Sequence, residues 1–137
     1  MLTCTLTRPT LRFNVLITMD RRIELIISRF ETETSSSWDT KTLAAMVSLS
    51  PSRFRHLFKH ETGTSPAQYL KDVRLRKAEV MLRTTFLSVK QILKQVGIRS
   101  NSHFVHDFRR IHGVTPTAYR RAFWRAMKAR KSRKKKS

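Results

Sequence analysis

The chain has 137 residues, of which 39% are hydrophobic, so it can bury one modest core or two small ones and is too short for an enzyme with a large cavity and covering lids. Its 29 lysine and arginine residues against 9 acidic residues give a formal charge of +20, which favours a polyanionic partner, nucleic acid first. Ten of the basic residues follow Tyr119. The other nineteen basic residues and the nine acidic residues still give residues 1–119 a formal charge of +10.

The N-terminal residues predict neither a secretory signal nor a membrane anchor. Cys4 is the single cysteine, so no intrachain disulfide can form, which is typical of a reduced, intracellular compartment. No run of eighteen apolar residues occurs, and charged residues and a proline interrupt the opening MLTCTLTRPTLRFNVLI. We therefore expect a soluble, cytoplasmic protein in which residues 1–18 are a poorly ordered extension or an over-extended reading of the gene start.

The first predicted element is a helix over residues 20–33, with Asp20 as its N-cap. Four apolar residues recur at the spacing of one helical face: Ile23, Ile26, Ile27 and Phe30. The polar stretch TETSSS before Trp38 predicts a linker. No stretch alternates long enough to predict a strand, so the expected fold class is all-α.

An internal repeat occupies most of the remaining chain. The stretch HETGTSPAQYL, which ends at Leu70, returns fifty residues later as RIHGVTPTAYR, which ends at Arg120. Further pairs share this offset: Ser52 and Ser102, Phe54 and Phe104, Phe58 and Phe108, Pro66 and Pro116, Tyr69 and Tyr119. Upstream the offset is forty-nine, so the second copy has one extra residue in the turn at residues 97–101. Such a repeat predicts a duplicated helix-turn-helix.

Capping residues predict the helix boundaries in both copies. Ser88 and Gln91 form the pattern of a capping box. A hydroxyl residue precedes a proline, the residue favoured at the first helical position, at three places: Ser50-Pro51, Ser65-Pro66 and Thr115-Pro116. The three glycines, at 63, 97 and 113, each fall where one helix turns into the next.

Each copy contains one helix with a buried and an exposed face. Apolar spacing predicts the buried face from Phe54, Leu57 and Phe58 in the first copy and from Phe104, Phe108 and Ile111 in the second. The opposite faces carry polar and basic residues: Ser52, Arg55, His56 and Lys59, and then Asn101, Ser102, His103, Val105, His106 and Arg109. These residue types suit the major groove, where arginine pairs with guanine, asparagine with adenine and valine with the thymine methyl group.

These residues carry a resemblance to a known family. Residues 43–78 are similar to LAxxVxLSPSRFRHLFKxExGxSPxxYLxxxRLxxA, and residues 102–120 to SHFxxxFRRxxGxTPxxYR, the pattern of the DNA-binding domain of AraC/XylS transcription regulators. The chain departs from many members at His56 and His106, where they have arginine.

The resemblance implies an all-α fold of about seven helices, with two homeodomain-like helix-turn-helix lobes joined by a long linker helix. We place the first lobe at residues 19–65, the linker helix at 66–84, the second lobe at 85–128 and a basic tail at 129–137. A helix of roughly eighteen residues is about 27 Å long, and successive major-groove faces lie about 34 Å apart, so a monomer can present two readers to one face of the duplex.

The resemblance also assigns the site. Base-reading positions correspond to Ser52, Arg55, His56, Asn101, Ser102, His103, Val105 and His106. Phosphate contacts are expected from the starts of the helices near Thr40 and Val89, with Lys41, Lys90, Lys59 and Arg109. No metal site is expected, because the His103 and His106 pair lacks a third ligand at a suitable spacing.

The implied function is that of a sequence-specific transcription regulator, an activator in the bacterial cytoplasm that associates with the nucleoid. The expected partners are promoter DNA, bound as a monomer, and RNA polymerase. We expect no cofactor, no catalytic activity and no separate effector domain.

Two alternatives remain open at this point. A sequence-indifferent architectural protein that binds DNA or RNA needs only the charge and the basic tail. A membrane-active or polyanion-binding protein would use the last helix and tail, YRRAFWRAMKARKSRKKKS.

Overall fold

The computed structural model describes residues 19–136, and the predicted extension at residues 1–18 lies outside them. Within the described residues the chain forms helices and no strand. The helices are α1 (Arg21–Thr32), α2 (Thr40–Met46), α3 (Pro51–Thr62), α4 (Pro66–Thr84), α5 (Val89–Val96), α6 (Asn101–His112) and α7 (Pro116–Lys136). The all-α prediction is confirmed, and none of these helices is long and apolar enough to cross a membrane.

Side-chain caps begin the helices where the sequence predicts them. Asp20 accepts the Arg22 amide at 2.9 Å at the start of α1. At α5, Ser88 Oγ accepts the Gln91 amide at 3.2 Å, and the Gln91 side chain accepts the Ser88 amide at 2.8 Å, which completes the capping box. The start of α4 is capped by Ser65. These bonds satisfy amides that have no partner inside the helix.

The ends of α3, α5 and α6 are set by glycines in the left-handed conformation. Gly63, Gly97 and Gly113 have φ angles of 81°, 82° and 77°. The amide of each donates to the carbonyl four residues earlier. A residue with a Cβ is strained at such a φ angle, and this explains why glycine occupies these three turns.

The first compact unit contains residues 19–33 and Ser37–Leu70. Its buried core consists of Ile23, Ile26, Phe30, Leu43, Ala44, Val47, Phe54, Phe58 and Leu70. Phe30 is fully buried, with its ring 6.4 Å from that of Trp38 and 6.1 Å from that of Phe58. Trp38 packs against this core before α2, and its Nε1 donates to the Glu33 carbonyl at 3.2 Å.

The second compact unit contains Thr34–Ser36 and residues 71–136. Its core consists of Leu75, Ala78, Leu82, Ile92, Leu93, Val96, Phe104 and Phe108. Tyr119 packs on this core, and its hydroxyl donates to the Glu79 carboxylate at 2.7 Å. Burial and the neighbouring Glu79 raise the pKa of Tyr119.

The predicted linker TETSSS contributes residues to the second unit. Arg74 donates from Nε to the Thr34 carbonyl at 2.9 Å and from Nη2 to the Ser36 carbonyl at 2.8 Å, and the Lys77 ammonium donates to the Thr34 hydroxyl. These bonds fix the backbone of Thr34–Ser36 against α4.

The repeat is preserved in the packing. Tyr69 meets the edge of Phe58 with ring centroids 5.6 Å apart and an interplanar angle of 83°. Tyr119 meets Phe108 at 5.2 Å and the same angle. The repeated phrase therefore encodes one aromatic packing arrangement, built once in each unit.

The prediction that Ile111 is buried is wrong, because its side chain is 57% exposed. The centroid of the His112 ring instead lies 4.2 Å from the ring centroid of Phe108 and 5.1 Å from that of Tyr119. Residues seven and eight positions after Phe104 both fall near the apolar stripe of a helix. The Tyr119 ring from α7 packs beside the second of them, and Ile111 turns to solvent.

The last helix extends further than the predicted second lobe. α7 continues through the basic tail to Lys136. After Pro116 this stretch contains neither glycine nor proline and is rich in alanine, lysine and arginine, which are strong helix formers.

Candidate nucleic-acid interface

The exposed face of α3 carries the four residues predicted for it. Ser52, Arg55, His56 and Lys59 are all exposed, whereas Phe54 and Phe58 on the opposite face are fully buried. The buried pair fixes the rotation of the helix about its axis, so the polar side chains must point away from the core. α3 therefore presents a hydroxyl, a guanidinium, an imidazole and an ammonium group to solvent.

The exposed face of α6 has the same organisation. Asn101, Ser102, His103, His106 and Arg109 are exposed, and Val105 is half-buried and packs against the core. An open concavity of about 710 Å³ is lined by Asn101, Ser102, Val105, His106, Arg109 and Arg110. His103 lies outside that lining, and Arg110 joins it although the sequence reading did not select it.

The helix starts predicted to hold phosphates differ from each other. At α2 the cap is the Asp39 carboxylate, which accepts the Thr42 amide at 2.6 Å. That bond lowers the pKa of Asp39 and keeps it ionised, and Lys41 is the exposed cation beside it. The negative charge opposes a phosphate at Thr40, because both would occupy the positive end of the same helix.

At α5 the cap is the neutral Ser88, so no side-chain anion competes at this helix start. Val89 is half-buried and Lys90 is exposed. A phosphate at this end meets free amide dipoles and one ammonium group. The start of α5 is therefore better suited to an anion than the start of α2.

An ion pair that the sequence reading missed lies behind the exposed face of α6. The Asp107 carboxylate, only 8% exposed as a residue, is 2.8 Å from the Lys71 ammonium of α4. His106 Nδ1 and Arg110 Nη2 each lie 3.7 Å from its other oxygen. The hydrogen bond from Lys71 is the main cause that holds the pKa of Asp107 below its ordinary value.

The repeat contains a signal that marks Asp107 as unusual. At an offset of fifty residues, Asp107 stands opposite Leu57, which packs against the first core. A carboxylate in place of a core leucine needs a cation close by. Lys71 supplies it from a helix thirty-six positions earlier, so local spacing alone does not indicate the pair.

Among residues 19–136, no group of three or more histidine, cysteine, aspartate or glutamate side chains is arranged to hold a metal ion. His103 and His106 are exposed on α6. Their chemistry in this part of the chain is that of hydrogen-bonding groups on a surface helix.

Comparisons with known proteins agree with this geometry. A family model described as a helix-turn-helix domain matches residues 43–122. The arabinose operon regulatory protein of Escherichia coli (strain K12) is 32% identical over 85 residues, which cover 62% of this chain and 29% of that protein. The chain spans about a third of the length of the curated relatives that it matches.

Solved structures show the same fold. The DNA-binding domain of the global transcriptional factor AdpA, in complex with a target DNA, is 31% identical with a TM-score of 0.69 over 74% of this chain and 91% of that one. A transcriptional regulator with an AraC-type DNA-binding domain from Chromobacterium violaceum is 29% identical with a TM-score of 0.66, over 73% and 89% of the two chains. With its two helix-turn-helix copies and these matches, the chain belongs to the AraC/XylS family of transcription regulators.

Proposed function

We propose that the chain is a sequence-specific DNA-binding transcription regulator that reads two adjacent major-groove segments with α3 and α6. The observation that carries this proposal is the repeated arrangement of a polar, basic face opposite a buried phenylalanine pair, present in each unit. Two such faces in one chain fit two major-groove contacts. The related AdpA domain is known in complex with its target DNA.

The side chains on the two faces divide by the contacts they suit. Arg55 can pair with both guanine acceptors, Asn101 with adenine, and Val105 with a thymine methyl group. We assign base reading to Ser52, Arg55 and His56 on α3 and to Asn101, Ser102, His103, Val105 and His106 on α6. The two readers differ in composition, which fits an asymmetric site.

Phosphate contacts set the register of such a reader. We assign them to Thr40, Lys41, Lys59, Val89, Lys90 and Arg109, which flank the two reading faces in sequence. The neutral cap at Ser88 supports a stronger contact at α5 than at α2, where Asp39 is ionised.

We also propose a functional division of the chain, its oligomeric state on DNA, its role and its location. The functional division is a first lobe at residues 19–65, a linker helix at 66–84, a second lobe at 85–128 and a basic tail at 129–137. A chain with both readers needs no dimer to occupy a two-box promoter site. It acts as an activator that also contacts RNA polymerase, in the bacterial cytoplasm at the nucleoid, and it catalyses no reaction.

Selection from a random duplex library at physiological salt, followed by sequencing, tests this proposal. We expect enrichment of an asymmetric pair of short boxes spaced by about one helical turn. Selection with Arg55→Ala should lose one position of one box and leave the other box intact. No enrichment, with binding that fades steeply as salt rises, would instead establish the sequence-indifferent alternative.

A further inference from the structure

The end of α7 forms a cationic helix that the two reading faces do not include. Every residue from Lys128 to Lys136 is exposed, and α7 continues to Lys136. Of these nine residues seven are lysine or arginine, none is acidic, and Ala129 is the single apolar one. We call residues 128–136 the basic arm.

The like charges of the basic arm destabilise its helical form in the absence of an anion. Arg130 and Lys134, and likewise Lys131 and Lys135, are four residues apart and lie beside each other on the helix surface, where like charges repel. The negative end of the helix dipole offsets part of this repulsion in the last turn only. A polyanion along the arm would remove it and stabilise the helical form.

The chemistry of the arm favours a nucleic-acid duplex over a membrane. A membrane-surface helix needs an exposed apolar face, and the basic arm has only Ala129. The larger apolar residues of α7 are half-buried before the arm begins: Phe123, Trp124 and Met127. Trp124 stacks on Phe86 with ring centroids 5.2 Å apart and an interplanar angle of 19°, so it is already engaged within the second unit.

We propose that the basic arm is a helical phosphate-binding element that contacts the backbone of duplex DNA in addition to the two reading faces. This inference rests on the proposed function, which places the second unit on DNA. The arm is about 14 Å long at 1.5 Å per residue, enough to reach several phosphates of one duplex. It adds affinity that is independent of sequence, so it strengthens bound and searching states alike.

The salt dependence of binding tests the arm. The variant Arg130→Gln/Lys131→Gln/Lys134→Gln/Lys135→Gln is compared with the parent on the selected duplex and on a random duplex. The slope of log K against log salt should be shallower by about 2 to 4 on both, and the affinity ratio between the two duplexes should not change. The control Arg21→Gln, exposed on α1, should change the slope by less than about 1.

A second variant distinguishes the contribution of the helical conformation from the contribution of the charge. Ala129→Pro keeps every positive charge but breaks α7 at the start of the arm. Its slope should also become shallower, and circular dichroism should show less helix in this variant than in the parent when both are bound to a random duplex. An unchanged slope would mean that the arm acts as an unstructured polycation and would overturn its role as a helix.

Two further outcomes would overturn the inference. One is a salt slope of the fourfold variant that equals the slope of the parent. The other is binding of the parent to phosphatidylserine vesicles as tightly as to duplex at equal salt, lost in the fourfold variant. If the parent shows no preference for the selected duplex, the proposed function fails, while the slope difference still decides the role of the arm.

Discussion

At the scale of single residues, two glycines with the same backbone conformation differ in their surroundings. Gly97 and Gly113 end α5 and α6 with φ angles of 82° and 77°. A Cβ at Gly97 would lie 2.8 Å from the Ser35 Cα and 3.1 Å from the Thr34 carbonyl oxygen, whereas one at Gly113 meets nothing within 4 Å. The first glycine is required by packing and by backbone conformation, and the second by conformation alone.

We therefore expect Gly97→Ala to destabilise the chain more than Gly113→Ala. The left-handed conformation costs about 1–2 kcal/mol in each variant, and the clash with the fixed Thr34–Ser36 backbone should raise the total for Gly97→Ala above about 2 kcal/mol. Urea unfolding followed by circular dichroism measures both. Equal destabilisation of the two variants would show that the backbone at Ser35 gives way.

Arg55 and Arg53 offer a matched pair on one helix. Both are exposed on α3, but only Arg55 is assigned to base reading. Arg55→Ala should lose about 1–3 kcal/mol of discrimination at one base pair, and Arg53→Ala should leave every base preference unchanged. Affinity for the selected duplex and its single-base variants measures this. The assignment is wrong if both variants weaken all duplexes by one common factor.

Lys59 should behave differently from Arg55, because it is assigned to a phosphate. Lys59→Ala should weaken binding to all duplexes alike and reduce the salt slope by about 1. A salt titration of the variant on selected and random duplexes checks this. Loss of preference at a particular base pair would place Lys59 on a base edge instead.

At the scale of elements, a charged contact joins α6 to α4. The Lys71 ammonium lies 2.8 Å from the Asp107 carboxylate, at the position where the first copy has Leu57. Removing one partner of a buried pair leaves the other charge uncompensated. The side chain of Lys71 is 48% exposed, so part of the interaction is screened by solvent.

Lys71→Met should therefore lower the free energy of unfolding by about 1–2 kcal/mol at neutral pH. The pKa of Asp107 is lowered in the folded chain, so the pair contributes fully above the ordinary carboxyl pKa of about 4 and is lost as the pH falls through the lower folded value. The difference between parent and variant should shrink below about pH 4.

Urea unfolding of parent and variant at a series of pH values measures this. Lys94→Met, which removes an exposed lysine from α5 in the same unit, is the control and should show little difference at any pH. A Lys71→Met effect that persists unchanged below pH 4 would indicate lost packing of the lysine stem and not a lost ion pair.

The elements also show how far local signals extend. Asp20, Ser88 and the glycines act on amides and φ angles within a few residues, so the sequence predicts the helix starts and ends. Of Ile111 and His112, it is His112 that packs beside the Tyr119 ring from α7 and is half-buried. No spacing within α6 contains that information.

At the scale of the whole molecule, one continuous helix, α4, joins the two units, and the division between them falls after Leu70. If both readers bind together, the spacing of the two boxes matters. Inserting five base pairs between the boxes rotates one by about half a turn. Affinity should then fall by at least about tenfold, to that of a duplex with a single box.

Five base pairs inserted outside the boxes are the control and should leave the affinity unchanged. Competition against the labelled selected duplex measures the affinities of the selected duplex, the duplex with the insertion between the boxes and the duplex with the insertion outside them. Equal affinity for the two spacings would mean that only one reader engages DNA, with the other unit bound to phosphates alone.

The sequence by itself determined the all-α class, the capped starts and glycine-marked ends of the helices, the duplication, the family and the exposed face of α3, because periodicity, caps and turn glycines act over a few positions. Tertiary structure decided that Thr34–Ser36 binds Arg74, that Asp107 pairs with Lys71, and that His112 packs against Phe108 while Ile111 is exposed. These contacts join residues on different elements or depend on a ring from another helix. Their cause is the packing of helices against each other, and a local pattern does not contain it.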